Sequence, residues 1–229
     1  MPGEAFSQTR FPFVCLLGNS VSILCHRGEL DAAEELIQRY AVLRDSADVS
    51  ERAGYAWPES QLRLARGDTA GALRVAGAAW DTREAAGANS ESIKEVFAIA
   101  LRAALELGDA SSEEAVFESV ESAGRGKVPP VVRAYTMQYR AKQAAGMGDL
   151  ERGDRLFRGA AALMRELATP FPMAVTMLDH AEALLAAGDV GTAEPLVAEA
   201  RSVFEGLRAA PWVERGERAA SKVGDRVAS

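Results

Sequence analysis

The sequence predicts an all-α fold, a solenoid of about five helix-turn-helix repeats closed by a C-terminal capping helix. Three observations carry that expectation. A glycine followed by an acidic residue recurs at Gly28, Gly67, Gly108, Gly148 and Gly188, separated by 39, 41, 40 and 40 residues. The stretch before each glycine is rich in Ala and Leu, as in Ala98–Leu107, and the stretch after it has helical periodicity. No segment shows sustained strand alternation. A fixed period near 40 residues is the signature of a repeat array, in which each hairpin buries its apolar face only against its neighbours.

Each position of the motif has a mechanical reason. A helix commonly ends on a left-handed residue, which glycine adopts without strain. The Asp or Glu after it stands where the next helix begins, so its carboxylate meets free N–H groups and the positive end of the dipole. Five residues after the glycines come Ala33, Ala72, Glu113, Gly153 and Ala193. Four of the five are small enough for antiparallel helices to approach closely, and Glu113 predicts different packing in the third repeat. In the fifth repeat Val190, Ala193, Leu196, Val197, Ala200, Phe204 and Leu207 form one apolar stripe, and Leu156, Phe157, Ala160, Leu163, Met164 and Leu167 do the same in the fourth.

The junctions follow in order. Ser111-x-x-Glu114 reads as a capping box. Ala88-Asn89-Ser90 after Gly87 separates the second repeat from the third. Pro129-Pro130 and Pro170-Phe171-Pro172 precede the fourth and fifth, where proline suits a first turn. Pro58, near Tyr55-Ala56-Trp57, predicts a kink or a late helix start in the second repeat. The expected repeats are roughly 11–48, 49–88, 89–128, 129–168 and 169–208 of a single domain covering 1–229. A capping helix is expected over 211–224, with Trp212 covering the last apolar face.

Composition narrows the function classes. The 229 residues carry a formal net charge of −7, which opposes direct nucleic-acid binding, since that needs basic surface to release phosphate counterions. No run of about 18 apolar residues predicts a membrane span. Phe11–Leu17 resembles a signal-peptide core, but Gly18-Asn19-Ser20 interrupts it, and a first repeat helix fits better. Cys15 and Cys25 lie roughly 15 Å apart along that helix, too far for a disulfide. They read as reduced, largely buried thiols, which fits a cytoplasmic protein.

The phase of the motif resembles the tetratricopeptide repeat. That unit has a Gly-Asp-type turn, alanine five residues later, an apolar residue nine later and a small residue twelve later. Here the plus-nine set is Ile37, Ala76, Phe117, Phe157 and Val197, and the plus-twelve set is Tyr40, Ala79, Val120, Ala160 and Ala200. The strict Trp-x-x-Leu-Gly-x-x-Tyr signature of the family's first helix is absent, so the repeats are degenerate and their helices longer than standard. Four runs, Arg133–Asp149, Ala161–Phe171, His180–Asp189 and Phe204–Arg215, are similar to the C-terminal tails of large bacterial signalling proteins. In that family a STAND-type ATPase accompanies a nucleotide cyclase or DNA-binding domain, and a tetratricopeptide tail senses or recruits a partner. The resemblance is best over 130–218. The ATPase's phosphate loop has no counterpart, since Gly126-Lys127 is followed by Val128 and lacks the first glycine.

Catalytic constellations are sparse. His26 and His180 fall in different repeats, and the sequence neighbours Cys25-His26 and Asp179-His180 point about 100° apart on a helix. Glu34-Glu35 and Glu113-Glu114 read as solvated or first-turn charges. The expectation is a non-enzyme without cofactor or metal. It binds a protein or peptide partner in a concave groove, or packs on a parent or neighbouring ATPase or cyclase domain. A small-molecule sensor with a pocket between repeats is the alternative, and homo-oligomerisation is compatible with either. In the resembled family the groove is lined by residues thirteen, ten, six and three before the turn glycine. That phase selects Trp57, Gln61, Arg102, Tyr135, Gln138, Lys142 and Glu182 as partner-binding candidates.

Overall fold

A computed structural model describes the backbone of residues 4–123 and 126–227 and the side chains of 13–123 and 126–224. Among the described residues every regular element is helical. Contacts divide the chain into two compact units, Met1–Pro129 and Pro130–Ser229, parted at the Pro129-Pro130 pair.

The first unit contains α1 (Glu4–Arg27), α2 (Leu30–Gln38), a 3₁₀ turn η1 (Ala41–Asp45), α3 (Val49–Ala65), α4 (Thr69–Asp81), the single turn α5 (Arg83–Ala86), α6 (Glu91–Leu107) and α7 (Ala110–Glu121). Here α1 packs on α2 and α3, α3 on α4 and α6, and α6 on α7. The second unit contains α8 (Pro130–Gly146), α9 (Leu150–Glu166), α10 (Pro170–Ala187), α11 (Val190–Leu207) and α12 (Ala210–Val227). Within it α8 pairs with α9, α10 with α11, and α12 lies on α11 and α10.

The five turn glycines take left-handed backbone, with φ of 82°, 81°, 67°, 83° and 89° in chain order. At each turn the N–H after the glycine returns to a carbonyl five residues back, as in Asp109 N to Ala104 O at 3.0 Å and Asp189 N to Leu184 O at 2.9 Å. This closing bond satisfies carbonyls that a helix end otherwise leaves unpaired. Asp68, Asp109, Asp149 and Asp189 then cap the following helix by accepting from the N–H of Gly71, Ser112, Arg152 and Thr192. Glu29, one methylene longer, makes no such cap, and α2 is the shortest of the helices that follow a turn glycine.

The small residues after the turns are sealed. Ala33, Ala72 and Ala193 have no exposed surface, and a Cβ on Gly153 would meet the backbone of Ala141 at 3.4 Å. Glu113 is also buried, so the third hairpin accommodates a carboxylate where the others hold a methyl or nothing. The plus-nine residues Ile37, Ala76, Phe117, Phe157 and Val197 are all in the core.

Several local expectations need correction. The cap of α7 is Asp109, so Ser111 and Glu114 lie inside the helix rather than forming a capping box. Pro58 does not delay its helix, because α3 starts at Val49 on an Asp48 cap and runs through the proline. Gly18-Asn19-Ser20 breaks the apolar run but not the helix, and the stretch forms part of α1, as the reading of a first helix expects. Asn19 bonds to Cys15 O at 2.8 Å, and a Cβ on Gly18 would stand 2.1 Å from Trp57 Cε3. The glycine is there to admit an indole. The side chains of Phe11 and Pro12 lie outside the described residues. Leu167 and Leu207, the ends of the two apolar stripes, are exposed at the last turns of α9 and α11.

Trp212 packs as the sequence leads one to expect. Its ring lies 5.3 Å from Phe171 and 5.6 Å from Phe204, so α12 covers the exposed end of the α10–α11 hairpin with an aromatic trio. Beyond this contact α12 presents Glu214, Glu217, Arg218 and Lys222 to water. No helix is long and apolar enough to cross a membrane among the described residues.

Candidate functional site

The first helix of each hairpin carries a polar residue six positions before its turn glycine: Ser22, Gln61, Arg102, Lys142 and Glu182. This row is where the two units part company.

In the second unit the row is closed. Gln138 and Lys142 stand one turn apart on α8, and Asp179 and Glu182 nearly one turn apart on α10. Gln138 Nε2 donates to Asp179 Oδ2 at 2.9 Å and Lys142 Nζ to Asp179 Oδ1 at 3.2 Å. Arg215 of α12 completes the set. Its Nη2 donates to Asp179 Oδ1 at 2.5 Å, and its Nε and Nη2 grip both oxygens of Glu182 at 3.0 and 2.5 Å. The guanidinium also lies 5.4 Å from the Trp212 ring, a cation–π contact.

Asp179 has only 2% of its side chain exposed. Burial pushes its carboxyl up, but Lys142 and Arg215 outweigh that and hold it below the ordinary carboxylate value. Burial likewise opposes the charge on Arg215, and the two carboxylates overcome it and raise its pKa. Two cations face two carboxylates, and every group has a partner. Tyr135 is buried one turn before Gln138.

The neighbour of Asp179 faces elsewhere. His180 stacks on Phe157 at 4.9 Å, with Nε2 3.0 Å from Asp154 Oδ1. Burial lowers its pKa against the pull of Asp154. The adjacent acid and imidazole therefore form no relay, in line with their angular separation on the helix.

In the first unit the row is open. Gln61 Nε2 is 3.5 Å from His26 Nε2, the long limit of a hydrogen bond. Burial, with help from the Arg102 charge, lowers the His26 pKa to about 4, so the imidazole is neutral at pH 7. Arg102 bonds Glu106 one turn along its own helix at 2.7 Å. Trp57 is 2% exposed, yet its Nε1 has no acceptor, and the Oγ of Ser22 has no hydrogen-bond partner either. An indole N–H can only donate, so a buried one without an acceptor is costly. Cys25 turns the other way, into a core with Val21, Ala33 and Ile37, and burial raises its thiol pKa to about 12. Cys15 and Cys25 are both free.

The structure thus brings Gln138, Lys142 and Glu182 into one cluster, and sets Gln61 beside His26 with the Arg102 charge close enough to affect the imidazole. Trp57, Gln61, Gln138 and Tyr135 are buried rather than offered to solvent. Asp179 and Arg215 were not among the candidates. Asp179 lies one residue outside the counted phase, and Arg215 belongs to a helix with no turn glycine from which to count.

The open row is rich in donors and, apart from Arg102, uncharged. Gln61 carries both a donor and an acceptor, the complement of a peptide group. No group of three or more His, Cys, Asp and Glu side chains is arranged to hold a metal among the described residues. No family model matches the chain, and no curated protein matches it.

Proposed function

We propose that the protein is a non-catalytic interaction module of tetratricopeptide-like repeats, and that it binds an extended segment of a partner protein along the inner row of its first unit. One contrast supports this reading. The same register that is consumed by internal ion pairs around Asp179 keeps unused hydrogen-bonding capacity at Trp57 and Ser22, and only a long contact to His26 at Gln61. Arg102 pairs with Glu106 on its own helix, and an i,i+4 pair of this kind is worth about 0.3–0.5 kcal/mol, little enough for a ligand to exchange. Main-chain amides of the partner bond Gln61 and the Trp57 indole N–H, and an acceptor on the partner engages Arg102. In this reading, which draws on the resemblance to signalling tails, the module acts in the bacterial cytoplasm as the recruiting arm of an ATPase or cyclase.

Selection of displayed peptides on the whole protein tests this. Peptides are expected to bind and to move the His26 ring proton resonances, because the imidazole lies against Gln61. Gln61→Leu and Arg102→Ala are expected to weaken binding at least tenfold. Binding that survives both changes, or that Lys142→Met weakens instead, overturns the assignment to the first unit.

A further inference from the structure

The helix at the start of the first unit is apolar on two faces. Val14, Leu17, Val21 and Cys25 face the core. Phe13, Leu16 and Ile23 form a second line, 37%, 64% and 51% exposed, with Ser20 completing it in the open. A helix apolar on both sides is normally covered on both. The contrast with α12 sharpens the point, because that helix turns charged residues to water beyond its own packing face.

We infer that this second face of α1 is the contact between two copies of the chain, paired antiparallel about a two-fold axis near residue 18. Two observations select a second copy over a different partner. First, residues 11–25 contain no Asp, Glu, Lys or Arg, so the stripe carries no charge for a dissimilar partner to read, and a second copy meets it without like-charge repulsion. Second, the positions 13, 16, 20 and 23 are spaced three, four and three apart. That spacing is the seam of a two-helix coiled coil, and it reads the same in both directions. A two-fold interface requires that if one residue meets another, the second meets the first. Pairing about residue 18 sets Phe13 beside Ile23 of the second copy and Leu16 beside Ser20, whose small side chain leaves room for the leucine. The seam spans about 15 Å of helix. Phe13 is already held in place by the Tyr40 ring at 4.7 Å, so part of the surface is ordered before contact.

Sedimentation of the whole chain across 1–100 µM tests the inference. The expected species is a dimer, twice the 24.4 kDa chain mass. Leu16→Glu with Ile23→Glu is expected to weaken it at least tenfold while leaving the helical circular dichroism unchanged, since both positions face solvent. Val42→Glu, at a site 79% exposed on η1 and off the stripe, is expected to leave the dimer intact. Leu16→Cys with Ser20→Cys is expected to give a covalent dimer on mild oxidation, where Val42→Cys does not. A wild-type chain that stays monomeric at 100 µM overturns the inference. So does a mass that grows beyond a dimer with concentration, the mark of head-to-tail stacking, and so does a dimer indifferent to the double Glu variant.

Discussion

The two units put one structural register to two uses. In Pro130–Ser229 the inner positions hold a neutral, fully paired cluster in which α8, α10 and α12 each contribute a charge to a common centre. In Met1–Pro129 the equivalent positions hold a serine, a glutamine beside a neutral histidine, an arginine, and a tryptophan whose N–H has no acceptor. The difference lies in what the neighbouring helix supplies. Arg215 brings a forked donor to Asp179 and Glu182, and nothing of that kind is aimed at Trp57 among the described residues. Paired polar groups hold a fold together, and a buried donor left without an acceptor costs it stability.

Breaking the closed cluster should have the largest effect. Arg215→Leu leaves Asp179 buried with only Lys142 and Gln138, and a buried pair broken on one side costs about 3–4 kcal/mol, read as a drop in the urea midpoint. Asp179→Leu with Arg215→Leu should recover more than half of that loss, because no buried carboxylate is then stranded. If the single change costs under about 1 kcal/mol, the cluster is ornamental and the contrast between the units collapses.

Acid should probe the open row next. The folded-state pKa of His26 is lowered, to about 4 from 6.5, so the unfolded chain takes up a proton that the native site refuses. Stability is unaffected above pH 6.5 and falls as pH drops from there toward 4, by at most about 3 kcal/mol. His26→Gln should flatten that slope in urea titrations between pH 7 and 4.5. His180 acts in the same direction. Asp179 acts lower, its stabilisation being lost only as pH falls below the ordinary carboxylate value.

Two smaller effects separate packing from backbone. Gly18→Ala drives a methyl into the Trp57 ring and should cost about 1–3 kcal/mol in the first unit, visible as a shifted indole fluorescence maximum and a lower melting temperature. A solvent-facing helical glycine would gain from the same change. At the turns that lead from one hairpin to the next, the first unit uses Gly87 and Gly126, while the second uses Ala168 and Arg208 at φ of 53° and 57°. Left-handed backbone costs a non-glycine residue about 1–2 kcal/mol, part of which glycine returns as chain entropy. Ala168→Gly and Arg208→Gly should therefore each raise stability by roughly 0.5 kcal/mol.

The hairpin plan was legible because it is written locally. A glycine, an aspartate and a small residue five positions on specify a turn without reference to anything far away, and all five glycines are left-handed. The junctions at Ser90, Pro130 and Pro170 were readable for the same reason. The closed cluster was not, because the pairing of Asp179 with Arg215 spans 36 residues and depends on how α12 lies against α10. The role of Trp57 was hidden likewise. Its burial is decided by Gly18, 39 positions earlier, and a residue count along one helix cannot see the notch cut in another. Ser111 misled because two candidate caps stood two residues apart, and the nearer one to the glycine prevails once the helix closes on Asp109.

The five glycine turns each settle their own backbone account. The closing bond from the residue after the glycine, and at four of them the aspartate cap, are made among residues a few positions apart. A cut and splice between equivalent elbows therefore leaves no orphaned N–H or carbonyl at the seam. A chain joined this way can gain or lose length in steps of about forty residues by duplication or deletion, with only the side chains at the new contact left to adapt.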